Sequence, residues 1–476
     1  MNIKVHILFL LLVNSCIAKD QTEVLKEVEK IRAMMEFHQN ALNDLKKKVL
    51  IISEKLGVAK EQGSDDIDAF LSQELPIESK SKSVVKLSKT EWIKTGVSTS
   101  LTLGKSNLND SELKELQAGG HDPNKNGFSA RAVEMSLSGD IDHIFDAKLN
   151  LNFHSDNSKG SSEFEIEEAI IHSNNFIKDL DFELGILKTN FGNQNRKHAH
   201  NWTFVDQPII SNRIFGSEGL SSGGVNLSKE LKDRNSSKLY FGVQNASGEK
   251  VSSFQSTGAH SHDEEHDEDG DEDEHEHGDS FVLADEKRTN FLSGLNDILY
   301  SFRYEKVVSK DNNQDIKFGA SYLMGPNNHL DKKTFIGGLD LAIRKEWLRD
   351  SGEFSSYLIE AEYIHRNYQA IDEGVHGSLR DMGYFVQGLY KPNKGFGYGL
   401  RYEKAWSGGD FAEAFTLPKH DDRERFSALL EWDQSEFSKI RLQVNQDKWS
   451  HLGTKDAHSV WLAFDVFFGD HPAHKF

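Results

Sequence analysis

The chain has 476 residues, a formal net charge of −20 at pH 7 and a single cysteine, which excludes disulfide frameworks and thiolate metal clusters. The acidic balance excludes a general nucleic-acid or anionic-lipid surface and favours cationic ligands. Its 30 Phe, 11 Tyr and 7 Trp are dispersed through polar sequence with a mean hydropathy of −0.59. This composition fits a chain of two or three soluble domains poorly.

Residues 1–18 have the pattern of a secretory signal peptide. Lys4 supplies the positive region, residues 7–13 form a short apolar region, and residues 15–18 are suited to a cleavage point. The only cysteine, Cys16, lies here, so its lipidation is an alternative that the sequence leaves open. No other stretch approaches the roughly 20 apolar residues of a transmembrane helix. The chain is therefore either a secreted soluble protein or a membrane barrel.

Residues 21–58 place apolar side chains alternately four and three positions apart, which predicts a coiled coil that associates several chains. His38 also falls in this seam, where we expect it to set the register. The predicted oligomerisation residues are Val24, Val28, Ile31, Met35, Leu42, Leu45, Val49, Ile52 and Leu56. They do not fix the number of helices that associate, and we expect a homotrimer. Residues 59–89 read as a linker.

From about Trp92 the hydrophobic period changes to two, the pattern of strands with one apolar face. The sequence therefore predicts an all-β fold over residues 90–476, a transmembrane antiparallel β-barrel of about 16 strands, an even number as in bacterial single-chain barrels. The predicted strands are 92–103, 127–138, 144–154, 162–173, 180–188, 222–230, 237–245, 292–306, 314–324, 334–346, 355–366, 381–391, 397–406, 423–433, 438–448 and 457–468.

Charged residues in these strands favour a barrel over a soluble sandwich. A sandwich would bury Glu360, Glu362, Arg401 and Glu403, whereas a barrel can place them in a wet lumen and the apolar residues in lipid. Short connections near 392–396 and 434–437 suit periplasmic turns. Long connections near 189–221 and 246–290 suit extracellular or infolded loops.

Residues 259–279 contain twelve Asp or Glu and no Lys or Arg. They predict a mobile extracellular loop, because nothing apolar is present to fold it. Imidazoles suit Zn²⁺, and two His-x-His spacings lie at the ends of the run. The predicted metal ligands are His260, His262, His266, His275 and His277. The alternative is a solvated acidic loop with no metal role.

Residues 189–220 are too rich in aromatic and turn residues for a slack loop, so we expect this segment to pack against or inside the barrel. His198 and His200, with Asp206 and Glu218, form a candidate second metal site. A role of the same residues in pinning an infolded loop through hydrogen bonds is equally compatible with the sequence.

Several runs in this segment resemble the signature of zinc-regulated, porin-like outer-membrane proteins of Gram-negative bacteria. The runs are residues 190–192, 198–200, Trp202, 204–208 and 215–220, and the His/acid-rich loop, 259–279, and the chain end, 468–476, look similar too. The resemblance covers roughly residues 92–476 and implies a barrel that is induced under zinc limitation and admits zinc. It supplies no ligand set.

Members of that family are related in pattern to the phosphate-selective porin group and are often labelled TonB-dependent receptors. Such receptors need a large N-terminal plug domain. The residues before Trp92 predict only a signal, a coiled coil and a linker, so we expect passive diffusion.

We therefore expect an outer-membrane channel for zinc or other divalent cations, with a periplasmic coiled coil, lipid contacts and no nucleic-acid partner. Zinc would be cargo or a loosely bound ligand. No recognisable nucleophile motif is present, so we expect no enzyme. A general or anion-selective, phosphate-type porin is the alternative. An anion-selective porin requires a row of Lys or Arg side chains in the lumen, which the acidic net charge of the chain disfavours.

Overall fold

The computed structural model describes residues 84–86, inside the predicted linker, and most of the chain from Trp92 onward, with gaps at several connections. The predicted signal peptide, coiled coil, histidine-rich loop and chain end therefore lie outside the described residues. The described ranges are 84–86, 92–116, 121–141, 144–156, 161–177, 179–231, 236–256, 297–309, 313–349, 353–372, 374–410, 421–450 and 456–469.

The described residues form nineteen strands and two short helices, numbered here in chain order. The strands are β1 (Val84–Lys86), β2 (Trp92–Ser106), β3 (Gly127–Ile141), β4 (Phe145–Asp156), β5 (Ser161–Ile177), β6 (Leu180–Lys188), β7 (Ser221–Leu231), β8 (Ser236–Asn245), β9 (Ser247–Gly248), β10 (Gln255–Ser256), β11 (Ile298–Ser309), β12 (Gln314–Pro326), β13 (Lys333–Leu348), β14 (Phe354–Asp372), β15 (Val375–Asn393), β16 (Phe396–Gly409), β17 (Arg423–Ser435), β18 (Ser438–Trp449) and β19 (Asp456–Gly469). The helices are α1 (Asp110–Leu116) and α2 (Ile209–Phe215), and a 3-10 turn spans Ala199–Asn201.

Sixteen of these strands, β2 to β8 and β11 to β19, form a closed antiparallel barrel. Each strand pairs with its neighbour in the chain, β8 pairs with β11, and β19 pairs with β2 to close the sheet. The sixteen predicted strands are thus confirmed, with ends that differ by a few residues. Neither helix of the described residues has the length and apolar character that a bilayer crossing requires.

The barrel wall is apolar outside and charged inside. On β18, Arg441 and Gln443 are fully buried, whereas Leu442 and Val444 between them are 39% and 43% exposed. A soluble protein distributes these residue types the other way round. The alternation therefore gives the outer surface of a membrane barrel and a polar interior.

The two ends of the barrel differ in the length of their connections. Short turns join β15 to β16 and β17 to β18 at one end, where the rings of Phe396 and Trp432 stack with centroids 6.0 Å apart. Trp347 and Tyr390 also stack at this end. The opposite end carries the long connections, including residues 189–220. A ring of aromatic side chains at one rim is typical of a membrane interface.

Residues 189–220, called here the infolded segment, pack inside the barrel. Arg441 on β18 donates hydrogen bonds to the carbonyl oxygens of Trp202 and Phe204, and Gln443 accepts one from the N–H of Val205. Apolar side chains of the segment and of α2 pack against inward-facing apolar residues of the wall. The largest such cluster contains Phe191, Ile209, Ile210, Ile214, Phe215, Leu220, Ala246, Val251, Phe254, Leu299, Leu323, Ile336, Ile364, Phe385 and Ala405.

The charged residues that the sequence assigned to a wet lumen point inward, but they are buried. Glu362 accepts hydrogen bonds from the N–H groups of Asn193 and Gln194, and Glu403 accepts one from Ile209. The expectation of solvated lumen charges is wrong at these positions, because the infolded segment covers them and supplies donors in place of water.

Candidate functional site

A cluster of histidine and glutamate side chains lies where the infolded segment meets β3 and β5. The carboxylates of the wall come from strands, and the histidines come from two connections at the same end of the barrel. The members of this His/Glu cluster are His121, Glu134, Glu167, Glu168, His198, His200 and Glu218.

His198 lies at the centre of the cluster, between two adjacent carboxylates of β5. Its Nδ1 is 2.9 Å from Glu167 Oε2, and its Nε2 is 2.8 Å from Glu168 Oε2. All three side chains are buried. The Nδ1 of His198 and the Oε2 of Glu167 therefore form an ion pair when the imidazole is protonated.

A β-bulge explains why two consecutive glutamates face inward. Opposite β4, Glu168 pairs with Asn150 and Ile166 pairs with Leu151, so Glu167 is an extra residue without a partner in the ladder. In a regular strand, neighbouring side chains point to opposite faces. The extra residue breaks this alternation and turns both carboxylates toward the lumen.

Two further pairs complete the cluster. Glu134 on β3 accepts a hydrogen bond from Nδ1 of His200, whose ring is stacked on His198 with a centroid distance of 5.7 Å. His121 Nε2 lies 2.7 Å from Glu218 Oε2, which joins the β2–β3 connection to the infolded segment. A small cavity beside these pairs is lined by Ser98, Thr99, Ser100, His121, Glu134, Ala199 and His200.

The carboxylates govern the ionisation of the two histidines. Burial disfavours a charged imidazole, but the facing Glu167 carboxylate outweighs it and raises the pKa of His198 to about 9. Burial and the Glu218 carboxylate compete in the same way at His121, whose pKa is also raised. Burial opposes ionisation of Glu218, yet the charge of His121 lowers the pKa of Glu218 to about 2. The cluster therefore attracts positive charge strongly.

Three members have the geometry of a metal-binding group. Ligand atoms of Glu134, Glu167 and His198 all lie within 4.8 Å of one another, and all three residues are buried. One imidazole nitrogen and two carboxylate oxygens are a donor set that suits Zn²⁺, with a fourth position left for water or exchange. A metal bound here would take the place of the proton on His198, because a ligating imidazole is neutral.

The structure brings His198 and His200 together but does not bring Asp206 to them. Asp206 Oδ2 accepts hydrogen bonds from Arg425 at 2.9 Å and Asn445 at 3.0 Å, and Oδ1 accepts from Arg401 and Gln443. These donors occupy its oxygens, so Asp206 anchors the segment to the wall. Glu218 forms an ion pair with His121 and does not face His198 or His200 directly. The carboxylates that face the predicted histidines are instead Glu134, Glu167 and Glu168.

The sequence reasoning missed these three glutamates and His121. The available signal was the pair Glu167-Glu168, two adjacent acidic residues inside an alternating strand, which is where a bulge re-aims a side chain. The five histidines of residues 259–279 lie outside the described residues, and their metal role stays a prediction.

The lumen also contains a row of arginines, which the acidic composition had disfavoured. Each of them forms an ion pair with an aspartate, which lies on the wall in four pairs and on the infolded segment in the fifth. The pairs are Arg303–Asp340, Arg366–Asp381, Arg401–Asp206, Arg425–Asp447 and Arg441–Asp465. The net charge of the chain did not reveal this row, because paired charges cancel in the sum.

No family model matches the chain. A curated protein of Aquifex aeolicus (strain VF5), described as uncharacterized, is 23% identical over 398 residues, which cover 78% of this chain and 77% of that protein. The outer membrane channel DcaP of Acinetobacter baumannii has a similar structure, with a TM-score of 0.51 and 11% identity over 80% of this chain and 99% of DcaP. An anion-selective porin from Comamonas acidovorans matches with a TM-score of 0.48 and 8% identity over 79% of this chain and all of that porin. The likeness to DcaP shows that the chain has the porin-type barrel fold.

Proposed function

We propose that the protein is a porin-like channel of the outer membrane that admits zinc or other divalent cations by passive diffusion. The porin-type fold and the apolar outer wall support the channel and its place in a membrane. The buried group of Glu134, Glu167 and His198 carries the cation part of the proposal, because it offers nitrogen and oxygen ligands inside the barrel.

In this proposal the cation exchanges between sites of different strength. The histidine-rich loop, 259–279, captures Zn²⁺ at the cell surface, and the His/Glu cluster is the next station inside the barrel. Sites of two or three imidazoles on a loop without a scaffold release metal quickly. The cluster is held by the wall and the infolded segment, so it selects the ion more strictly.

An anion-selective or general porin is the second candidate, and the arginine row of the lumen favours it. Its weakness is that each arginine described above already has an aspartate partner. Reversal potentials in planar bilayers under a salt gradient distinguish the candidates. Cation selectivity supports our proposal, and anion selectivity contradicts it.

The decisive test replaces Glu167 by Gln and measures Zn²⁺ uptake into proteoliposomes. We expect uptake to fall at least about tenfold, because one of three ligands loses its charge. Glu424→Gln is the matched control, since Glu424 faces Lys404 away from the cluster. The electrophoretic heat-modifiability of each variant shows whether its barrel is folded. Equal Zn²⁺ uptake by the folded wild-type protein and folded Glu167→Gln would contradict the role of the cluster.

Deletion of residues 259–279 tests the capture step separately. We expect an unchanged conductance in KCl, slower Zn²⁺ uptake at low concentration and loss of most zinc binding measured by calorimetry. Equal zinc binding by the full and the deleted chains would move the binding to the His/Glu cluster alone.

We also propose that the mature chain is a homotrimer tethered by the predicted coiled coil in the periplasm. Replacing Ile31, Leu45 and Ile52 by Asp places charges in an apolar seam and should loosen the assembly. Native mass spectrometry in mild detergent measures this, and a monomeric wild-type protein would rule the trimer out.

A further inference from the structure

A buried lysine belongs to the His/Glu cluster without being a ligand. Lys188, the last residue of β6, places its Nζ 2.7 Å from Glu167 Oε1, and its side chain is only 4% exposed. The opposite oxygen of the same carboxylate, Oε2, faces His198. Glu167 is therefore shared between the ammonium group and the candidate metal position.

Lys188 supplies part of the positive charge that the cluster needs when no metal is bound, beside the imidazoles of His198 and His121. Glu134, Glu167, Glu168 and Glu218 bring four carboxylates into one buried region, and carboxylates at such separations cannot all stay ionised without positive charge nearby. The carboxylates of Glu167, Glu168 and Glu218 all attract the Lys188 ammonium group. A single hydrogen bond to a carbonyl, that of Lys197 at 3.3 Å, is its other polar contact.

The second lysine near the cluster differs from Lys188 in exposure. Lys148 on β4 lies 2.9 Å from Glu168 Oε2, but its side chain is 37% exposed. Water screens and replaces an exposed charge, so its removal costs little. Of these two lysines, only Lys188 competes from inside the cluster for Glu167, the carboxylate that is a candidate ligand.

We infer that Lys188 is a tethered counter-ion, which holds Glu167 while the site is empty and gives way when a divalent cation binds. This inference rests on the proposed function. The ammonium group moves toward Glu168 and Glu218 as the metal takes Glu167. The competition weakens equilibrium binding and speeds release, so that the cluster passes its ion on instead of retaining it.

The test measures Zn²⁺ binding to the full-length protein in detergent at neutral pH. Gln replaces the five histidines of residues 259–279 in every sample, so that only the barrel sites report. Competition with a chromophoric chelator gives the affinity, and stopped-flow transfer to excess chelator gives the release rate.

Lys188→Met removes the charge but keeps an unbranched side chain of similar length. We expect zinc to bind at least about tenfold more tightly and to leave correspondingly more slowly. Lys188→Arg keeps the charge and should stay near the wild-type affinity. Lys148→Met, the exposed control, should change the affinity by less than about threefold.

The outcomes separate this inference from the proposed function. Suppose that Glu167→Gln abolishes zinc binding, while Lys188→Met, folded as judged by heat-modifiability, binds zinc as tightly as the wild-type protein or more weakly. That result overturns the counter-ion role alone. Tighter binding and slower release in Lys188→Met support it. Absence of saturable binding in both the wild-type protein and Lys188→Met overturns both proposals.

Discussion

Two inner walls of the same barrel hold the same infolded segment with different chemistry. On β16 to β18, Asp206 receives four donors, from Arg401, Arg425, Gln443 and Asn445. On β5, Glu167 pairs with Lys188 through Oε1 and with the imidazole of His198 through Oε2. Both carboxylates are buried, so burial does not distinguish them. Asp206 receives four donors and anchors the chain, whereas Glu167 has two cationic partners and is the candidate cation ligand.

The largest effect on the docking of the infolded segment should come from removing the Asp206 carboxylate, which receives four hydrogen-bond donors. Asp206→Asn leaves two buried guanidinium groups without their shared carboxylate, and removing one partner of a buried ion pair costs about 3–5 kcal/mol. We expect the barrel to stay folded while the infolded segment detaches from the wall. Limited proteolysis of the segment and an increased single-channel conductance measure this.

Asp433→Asn is the matched control, because Asp433 pairs with Lys391 in a partly exposed position. It should leave both measurements unchanged. A segment that resists protease equally in all three proteins would show that the apolar contacts of α2 hold it without Asp206.

A smaller effect is expected at the start of the infolded segment. Gly192 has a φ of 55°, and a Cβ added to it would collide with the Glu362 carboxylate. Gly192→Ala should therefore destabilise the docked segment by about 1–3 kcal/mol. Gly408→Ala on β16 is the control, since a Cβ there meets nothing within 4 Å. The measurement is the urea concentration at which protease begins to cleave the infolded segment in each of the two variants.

The smallest effect should be a pH dependence of docking through His121 and Glu218. Because the pKa of His121 is raised from 6.5, its contribution is complete below pH 6.5 and is lost as the pH rises through the raised value. Because the pKa of Glu218 is lowered from 4.5 to about 2, its contribution is complete above pH 4.5 and is lost as the pH falls through about 2. Docking should be strongest between these limits.

Trp202 reports this dependence, because its buried ring packs edge-on against His121 at a centroid distance of 6.1 Å. The fluorescence difference between the wild-type protein and Trp202→Phe isolates its signal from the other tryptophans. We expect a blue-shifted maximum near pH 5.5 and red shifts toward pH 2 and pH 10. The same profile in His121→Gln would contradict the assignment.

The sequence predicted the barrel well because lipid and lumen impose an alternation that every strand repeats. It also identified residues 189–220 as a packed segment and paired His198 with His200, which lie two residues apart. It could not predict the partners of these histidines. Asp206 meets its donors 195 to 239 residues away in the chain, a relation fixed by the closure of the sheet. Glu167 faces inward only because of a bulge, which alternation alone cannot anticipate.

The bulge in β5 also makes the candidate metal ligand Glu167 separable from the rest of the barrel. Glu167 is supernumerary in the ladder, since Glu168 and Ile166 pair with the consecutive residues Asn150 and Leu151. Deleting this one codon would restore a regular ladder without shifting the register of any other strand. The candidate cation ligand therefore lies on a single inserted residue, which can be removed without changing any other pair of the β4–β5 ladder.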